Sequence, residues 1–339
     1  MRNLYWYAMV LALLMGTSCA ESEQQIPLPP IITSKTLDAT HAVTLETKAV
    51  ELVFIPNEVA PWLGRIVYTS TGGSAISMDI ENRNISMFKL GVTKSLLGLS
   101  FHKQPGVFLS LNQNNQVESL LESGDHGQFV TIISSGAPVH AVSFCQVAKA
   151  QGKDIYVLEA KSRIQKYSVA LSVQPDAKNL SRLTFTKDDG FDLKAPENTV
   201  ACYVDKGHLY SLQSKDKRTG LSSYSTQSNT WQTSTLKYPS LDLVPVKLGQ
   251  DMYFAFSTQG YLGLFRTDRP EDVEFYSITD GLSIKGMDKV SKVYATANKF
   301  GGTAFNQGVM ALLNDDAKRI VYISTSYIAD QVQINSENN

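Results

Sequence analysis

The chain has 339 residues, of which 43% are hydrophobic, and its 31 basic and 32 acidic side chains give a formal net charge of −1. A chain of this length and composition can bury a sizeable core. Without a basic excess or a basic stripe it does not have the composition of a nucleic-acid-binding protein.

Residues 1–18 have the pattern of an export signal. Arg2 precedes the apolar run "LYWYAMVLALLMG", which is too short to span a membrane. The small residues of "GTSCA" then predict lipoprotein-type cleavage before Cys19, whose acylation would anchor the chain to a membrane. Ordinary secretory cleavage after Ala20 is the alternative. Either route predicts an exported protein, located in the periplasm or at the cell surface.

Residues 19–44 are predicted to be a tether. The segment "ESEQQIPLPPIITSK" is polar, contains prolines and has no hydrophobic period. We therefore expect the folded domain to span residues 45–330.

Strand-length apolar stretches separated by turn residues recur throughout that domain. Examples are "GRIVYTS", "GVFLSL", "QFVTIIS" and "IVYIS", which are rich in β-branched and aromatic residues. No window has a comparable helical period. The sequence therefore predicts an all-β protein.

Three pairs of such strands, each joined by a short turn, suggest a repeat. The pairs are "DIYVLEAKSRIQKYSV", "GHLYSLQSKDKRTGLSSYS" and "DMYFAFSTQGYLGLFRT". Their starts are separated by roughly 45–55 residues, about the length of one propeller blade. The sequence therefore predicts a single six-bladed β-propeller domain.

Cys145 and Cys202 are the two cysteines of the predicted domain. Export permits a disulfide, but nothing in the sequence places the two within bridging distance. We expect two buried free thiols.

No familiar catalytic motif is present. The sequence has no Gly-x-Ser-x-Gly elbow, Walker loop or dinucleotide fingerprint. Its five histidines do not have metal-ligand spacing.

Four segments, taken in order, resemble the β-propeller phytases. They are "SFCQVAKAQGKDIYVLEAKSRIQKYSVAL", "APENTVACYVDKGHLYSLQSKDKRTGLSSYST", "GQDMYFAFSTQGYLGLFR" and "YSITDGLSIKGMDKVSKVYATANKFGGTAFNQGVMALLNDD". The resemblance runs from about residue 50 to residue 325, and near its start "NEVAPW" is similar to the family's Asp-Asp-Pro-Ala-Ile-Trp. It implies a six-bladed propeller that uses calcium to hydrolyse phosphate esters of inositol.

Few of the family's active-site acids are matched. Its first aspartate pair falls on Asn57 and Glu58, and a later Glu-Glu pair falls on Gln213 and Ser214. The family's next acidic stretch falls on "VPVKLG", which has no acid. The residual catalytic positions that the resemblance implies are Glu58, Glu197 and Asp288, and the metal positions, if calcium is bound, are Asp288 and Asp315.

Lysines stand at two positions of the implied site. Lys285 replaces the first acid of the family's Thr-Asp-Gly-x-Asp loop, and Lys161 lies in "AKSR", where the family has Gly-Lys-x-Gly. Calcium takes 6–8 oxygen ligands and is repelled by an ammonium group. We therefore expect no cofactor, with calcium only if family activity remains, and we expect Lys161 and Lys285 to bind an anionic ligand.

Three functions remain open. The favoured one is an exported phytase-like propeller with little or no turnover, which binds a phosphorylated small molecule or assists a catalytic partner. The second is an active calcium-dependent phosphomonoesterase. The third is a membrane-surface propeller that binds a protein partner.

Overall fold

The structure is a computed structural model that describes residues 30–123, 127–149, 153–205, 207–215, 218–238, 240, 242–314 and 318–337. The predicted lipidation site Cys19 and the predicted metal ligand Asp315 lie outside these residues. Among the described residues, no helix has the length and apolar character needed to span a bilayer.

Strands dominate the described residues. In chain order they are β1 (Thr36–Asp38), β2 (His41–Thr44), β3 (Ala49–Ile55), β4 (Arg65–Ser70), β5 (Ser74–Met78), β6 (Ser86–Lys89), β7 (Thr93–Leu99), β8 (Val107–Asn112), β9 (Val117–Ser123), β10 (Gln128–Ser135), β11 (Ala141–Phe144), β12 (Gln146–Val147), β13 (Asp154–Glu159), β14 (Arg163–Ser172), β15 (Arg182–Lys194), β16 (Thr199–Asp205), β17 (His208–Lys215), β18 (Arg218–Ser225), β19 (Thr230–Thr235), β20 (Val244–Leu248), β21 (Asp251–Thr258), β22 (Tyr261–Arg266), β23 (Glu274–Thr279), β24 (Lys292–Thr296), β25 (Val309–Asn314) and β26 (Arg319–Ser324). The helices of the described residues are three short 3-10 helices, Pro61–Leu63, Lys178–Leu180 and Thr303–Phe305, and the α-helix α1 (Thr325–Glu337).

The strands form consecutive four-stranded antiparallel meanders. Four of them use successive strands, β3–β6, β7–β10, β16–β19 and β20–β23, and a fifth uses β11, β13, β14 and β15. A further sheet consists of β24, β25, β26 and the early strand β2. Parallel pairing of β10 with β15 joins two meanders into one eight-stranded sheet. The predicted all-β class is confirmed, and the three predicted strand pairs are the hairpins β13–β14, β17–β18 and β21–β22.

In some strands, sequence alternation explains which side chains are buried. In β14, buried Tyr167 and Val169 alternate with exposed Ser168 and Ala170, as expected when successive side chains point to opposite faces of a sheet. In β25, by contrast, the first five residues, "VMALL", are all apolar and buried.

The first strands of the meanders contact one another in sequence. β3 contacts β7, β7 contacts β11, and β11 contacts β16; β12 contacts both β16 and β20, β20 contacts β24, and β24 contacts β3 again. The close approach of β7 to β3 requires a glycine, because a Cβ on Gly98 would lie 2.0 Å from the carbonyl oxygen of Phe54.

The folded unit begins earlier than the sequence predicts. Residues assigned to the tether form β1, which pairs in parallel with β23, and β2, which pairs antiparallel with β26. Leu37 and Val43 are buried there. The tether prediction for residues 19–44 is therefore wrong for its last part, because these strands complete sheets formed by distant residues, and the compact unit runs from Ile32 to Asn339.

The C-terminal helix α1 was also not predicted from the sequence. It starts directly after β26 and continues beyond the predicted domain end at residue 330. Ile328, Ala329 and Val332 lie on its buried side and pack into the core cluster that contains Val321 and Ile323. This spacing of three apolar residues is a weak helical signal in a polar segment.

Cys145 and Cys202 form a disulfide, so the expectation of two free thiols is wrong. Their Cα atoms are 4.5 Å apart. The cause is the parallel pairing of β12 with β16, in which Gln146 lies opposite Tyr203. The residues just before this pair are the two cysteines, which the register brings side by side.

Candidate functional site

Two predicted site residues, Lys161 and Glu197, line one cavity, which we call the Lys161 cavity. Its volume is about 600 Å³, and its lining includes Arg163, Asp192 and Lys194. Lys161 and Glu197 are both exposed. The structure thus brings together a cation predicted to bind a ligand and an acid that the phytase resemblance implies.

Backbone geometry positions Lys161. It lies in the turn between β13 and β14, where Lys161 and Ser162 have φ of 63° and 55°. The carbonyl oxygen of Ser162 accepts a hydrogen bond from the backbone N–H of Ala195 at 2.8 Å. This bond ties the turn to the segment after β15 that carries Glu197.

Apart from one ion pair, the lining of the Lys161 cavity has two lysines and one acid. Arg163 and Asp192 bind each other through two hydrogen bonds, one of them 2.9 Å from Nε to Oδ1. This pairing with Asp192 raises the pKa of Arg163. Among the described residues, neither Lys161 nor Lys194 forms an ion pair within 4.0 Å. An entering anion therefore meets two available ammonium groups and the single carboxylate of Glu197.

Lys285 lies elsewhere, on the loop between β23 and β24. The side chain of Asp280 accepts a hydrogen bond from the Gly286 N–H at 2.6 Å. The guanidinium of Arg319 donates to the carbonyl oxygens of Lys285 and Gly286. Hydrogen bonds within the protein thus occupy Oδ1 of Asp280 and the carbonyl oxygens of Lys285 and Gly286. The Lys285 side chain is exposed.

The other predicted acids do not line the Lys161 cavity. Asp288 lines a separate cavity of about 660 Å³ near Gly260. Glu58 lies on the loop between β3 and β4, and its carboxylate is 3.6 Å from Nδ1 of His102. In the described part of the chain, no group of three or more His, Cys, Asp or Glu side chains is arranged to hold a metal ion.

Gln213, at a position where the phytase family has an acid, has a structural role. It is buried, and its Nε2 donates to the carbonyl oxygen of Ser211 at 2.9 Å and to Ser211 Oγ at 2.6 Å. Its Oε1 accepts from Ser222 Oγ at 3.0 Å. The network links β17 to β18, so this amide is used to pair strands.

A half-buried charged cluster, which sequence reasoning did not find, links two first strands. Nζ of Lys292 lies 3.4 Å from Oε1 of Glu51 and donates to the carbonyl oxygen of Val50 at 2.7 Å. The hydroxyl of Tyr294 donates to Oε2 of Glu51 at 3.3 Å. Burial raises the pKa of Glu51, and the nearby Lys292 opposes this rise only in part.

The stability of the protein should depend on the protonation of Glu51. Because its pKa is raised by folding, the carboxyl group favours the folded state most when it is protonated. That contribution is lost as the pH rises through the folded-state pKa. We expect the free energy of unfolding of Glu51→Gln, relative to wild type, to increase between about pH 4 and pH 8.

Urea unfolding at several pH values measures this difference. The exposed Glu46→Gln is the matched control, and its difference from wild type should vary less with pH. A Glu51→Gln difference that is flat, or that falls as the pH rises, would contradict the assignment.

No protein-family model and no curated protein matches this sequence. Among solved structures, the chain is similar to the β-propeller domain of Cps50 (Swd1) from Myceliophteria thermophila, with a TM-score of 0.43 and 8% identity over 80% of this chain and 82% of that one. It is also similar to the extracellular domain of the putative one component system BT4673 from B. thetaiotaomicron, with a TM-score of 0.38 and 10% identity over 80% of this chain and 33% of that one. The chain thus spans about a third of the second protein, and similarities this low carry no functional inference.

Proposed function

We propose that this chain is an exported six-bladed β-propeller, similar to the β-propeller phytases, that binds an anionic phosphorylated small molecule and hydrolyses it weakly or not at all. The observation that carries the binding proposal is the Lys161 cavity, whose lining includes two lysines and one glutamate besides the Arg163–Asp192 pair. Lysine binds phosphate groups as a point charge.

The contacts between first strands support six blades. Propeller blades are four-stranded antiparallel sheets arranged around a central channel. Here six such sheets are present if the eight-stranded sheet counts as two blades. Their first strands contact one another in a closed order, in which the short strand β12 bridges β16 and β20. The early strand β2 supplies the last strand of the sixth blade, which closes the ring.

Strand connectivity supports one ligand-binding face of that propeller. Loops between the second and third strands of a blade, and loops that lead to the next blade, emerge on the same face. Lys161, Glu197, Lys285 and Asp288 all lie on such loops. Glu58 lies between a first and a second strand and belongs to the opposite face, so we exclude it from the proposed site.

The residues of the Lys285 loop do not fit a calcium ion. Calcium requires several oxygen ligands, usually carboxylates and carbonyls. The Asp280 side chain accepts a hydrogen bond from Gly286, Arg319 donates to the loop carbonyls, and Lys285 adds a positive charge. We therefore derive no hydrolytic step through calcium at this loop.

Binding of inositol hexakisphosphate to the full-length protein tests the proposal. Calorimetry at low salt without calcium should detect binding, and Lys161→Ala and Lys194→Ala should each weaken it about tenfold, because each removes one charge-assisted contact. Added salt should weaken binding, since exposed charges are screened within about 10 Å at 0.1 M.

Lys187→Ala is the matched control, because Lys187 is an exposed lysine on the same strand as Lys194. It should bind like wild type. A parallel Lys285→Ala variant tells whether the second predicted cation takes part. Equal binding by Lys161→Ala, Lys194→Ala and wild type contradicts the site, and chelator-sensitive phosphate release would favour the active-enzyme alternative.

A further inference from the structure

A larger cavity of about 830 Å³, which we call the Tyr210 cavity, lies over one face of the sheet β16–β19. Its lining includes His208, Tyr210 and Gln232 from that sheet, and Thr267 and Asp268 from the segment after β22. None of these residues lines the Lys161 cavity.

The floor of the Tyr210 cavity is a row of polar side chains across three strands. Tyr210 in β17 lies opposite Ser223 in β18, and Ser223 lies opposite Gln232 in β19. Because side chains on one face recur every second residue, Ser234 and Ser225 continue the polar surface beside this row, and both also line the cavity.

Tyr210 is held in a fixed position at the edge of that floor. Its ring packs against Phe254 at 5.5 Å and nearly perpendicular. Its side chain lies beside Thr267, which lines the same cavity. The cavity therefore has one half-buried, pre-positioned aromatic side chain next to hydroxyl and amide groups.

The charge of the Tyr210 cavity differs from that of the Lys161 cavity. Arg266 binds Asp268 through Nε–Oδ1 at 3.0 Å and Nη2–Oδ2 at 3.1 Å. This bond with Arg266 lowers the pKa of Asp268, so the carboxylate stays ionised as an acceptor while its charge is neutralised. Among the described residues that line the cavity there is no lysine or arginine.

These properties define the class of ligand. Pockets for drug-sized ligands have volumes of about 300–1,000 Å³ and are mainly apolar with few polar groups. This cavity has the volume but mostly neutral hydrogen-bonding side chains, and serine, threonine and glutamine can each donate and accept. A ligand that carries many hydroxyl groups and no net charge matches such a lining.

We propose that the Tyr210 cavity binds a neutral oligosaccharide. The hydroxyl and amide side chains of Ser223, Gln232 and Thr267 pair with sugar hydroxyls, and the Asp268 carboxylate accepts from one of them. Tyr210 provides the aromatic contact for the apolar side of a sugar ring. This site is independent of the phosphate site proposed above.

The test uses the full-length protein with maltotriose, cellotriose and tri-N-acetylchitotriose as probes. Saturation-transfer NMR and calorimetry should detect binding of at least one of them, with little dependence on salt. Gln232→Ala should weaken that binding about three- to tenfold, the effect of losing a neutral hydrogen bond. Ser223→Leu, which fills the floor of the cavity, should abolish it.

Gln128→Ala is the matched control, because Gln128 is an exposed glutamine on a strand of another sheet. It and Lys161→Ala should bind the probe like wild type. The exposed position of Gln232 keeps the test valid if Ser223→Leu fails to fold. Failure of all three probes to bind, or unchanged binding by Gln232→Ala and every folded floor variant, overturns the proposal.

Discussion

Removal of residues 1–44 is expected to abolish the folded state, whereas removal of residues 1–31 should leave it intact. The longer deletion removes β1 and β2, and with them the pairing partners of β23 and β26. It also removes Leu37 and Val43, each of which stabilises the folded state by about 1.5–3 kcal/mol through burial. Together with the lost strand pairing, this approaches the total stability of an ordinary domain, about 5–15 kcal/mol.

Circular dichroism and thermal melting of the two purified fragments make the measurement. The fragment that begins at residue 32 should melt cooperatively and remain monomeric. The fragment that begins at residue 45 should lack a cooperative transition or aggregate, because β26 becomes an unpaired edge. Similar cooperative melting of both fragments contradicts the closure of the last sheet by β2.

The sequence predicts the pairing of strands well where the two strands are close neighbours along the chain. The hairpins β13–β14, β17–β18 and β21–β22 are separated by short turns, and their alternating side chains specify both faces. The Lys161 turn belongs to this class, because it joins the neighbouring strands β13 and β14.

Pairing between distant residues could not be predicted in the same way. β1 has three residues and β2 has four, too few for a recognisable alternation, and their partners lie about 240–280 positions further along the chain. The hydrogen bond of the Asp280 side chain with the Gly286 N–H could not be predicted either. It depends on the loop conformation and not on the residue type. An acid in a glycine-bearing loop can bind a metal ion or accept a backbone N–H, and the sequence is the same for both.

The cysteine pair is a further example, and its contribution to stability can be measured. Cys145 and Cys202 are 57 residues apart, and the parallel register of β12 with β16 brings them together. Both are buried among apolar side chains that include Leu158 and Ile164. The disulfide thus links the meander formed by β11, β13, β14 and β15 to the sheet β16–β19 that follows it in the chain.

Replacing both cysteines by alanine is expected to lower the free energy of unfolding by about 4 kcal/mol. A disulfide that closes a loop of 57 residues removes conformational entropy from the unfolded chain by roughly this amount. Urea unfolding of Cys145→Ala/Cys202→Ala and of wild type, both under non-reducing conditions, measures the loss. Wild type unfolded in the presence of a reductant should lose a comparable amount, whereas the double variant should not respond to reductant. Quantitative alkylation of Cys145 and Cys202 in the untreated denatured protein, located by peptide mapping, or equal stability of the two proteins without reductant, would contradict the disulfide.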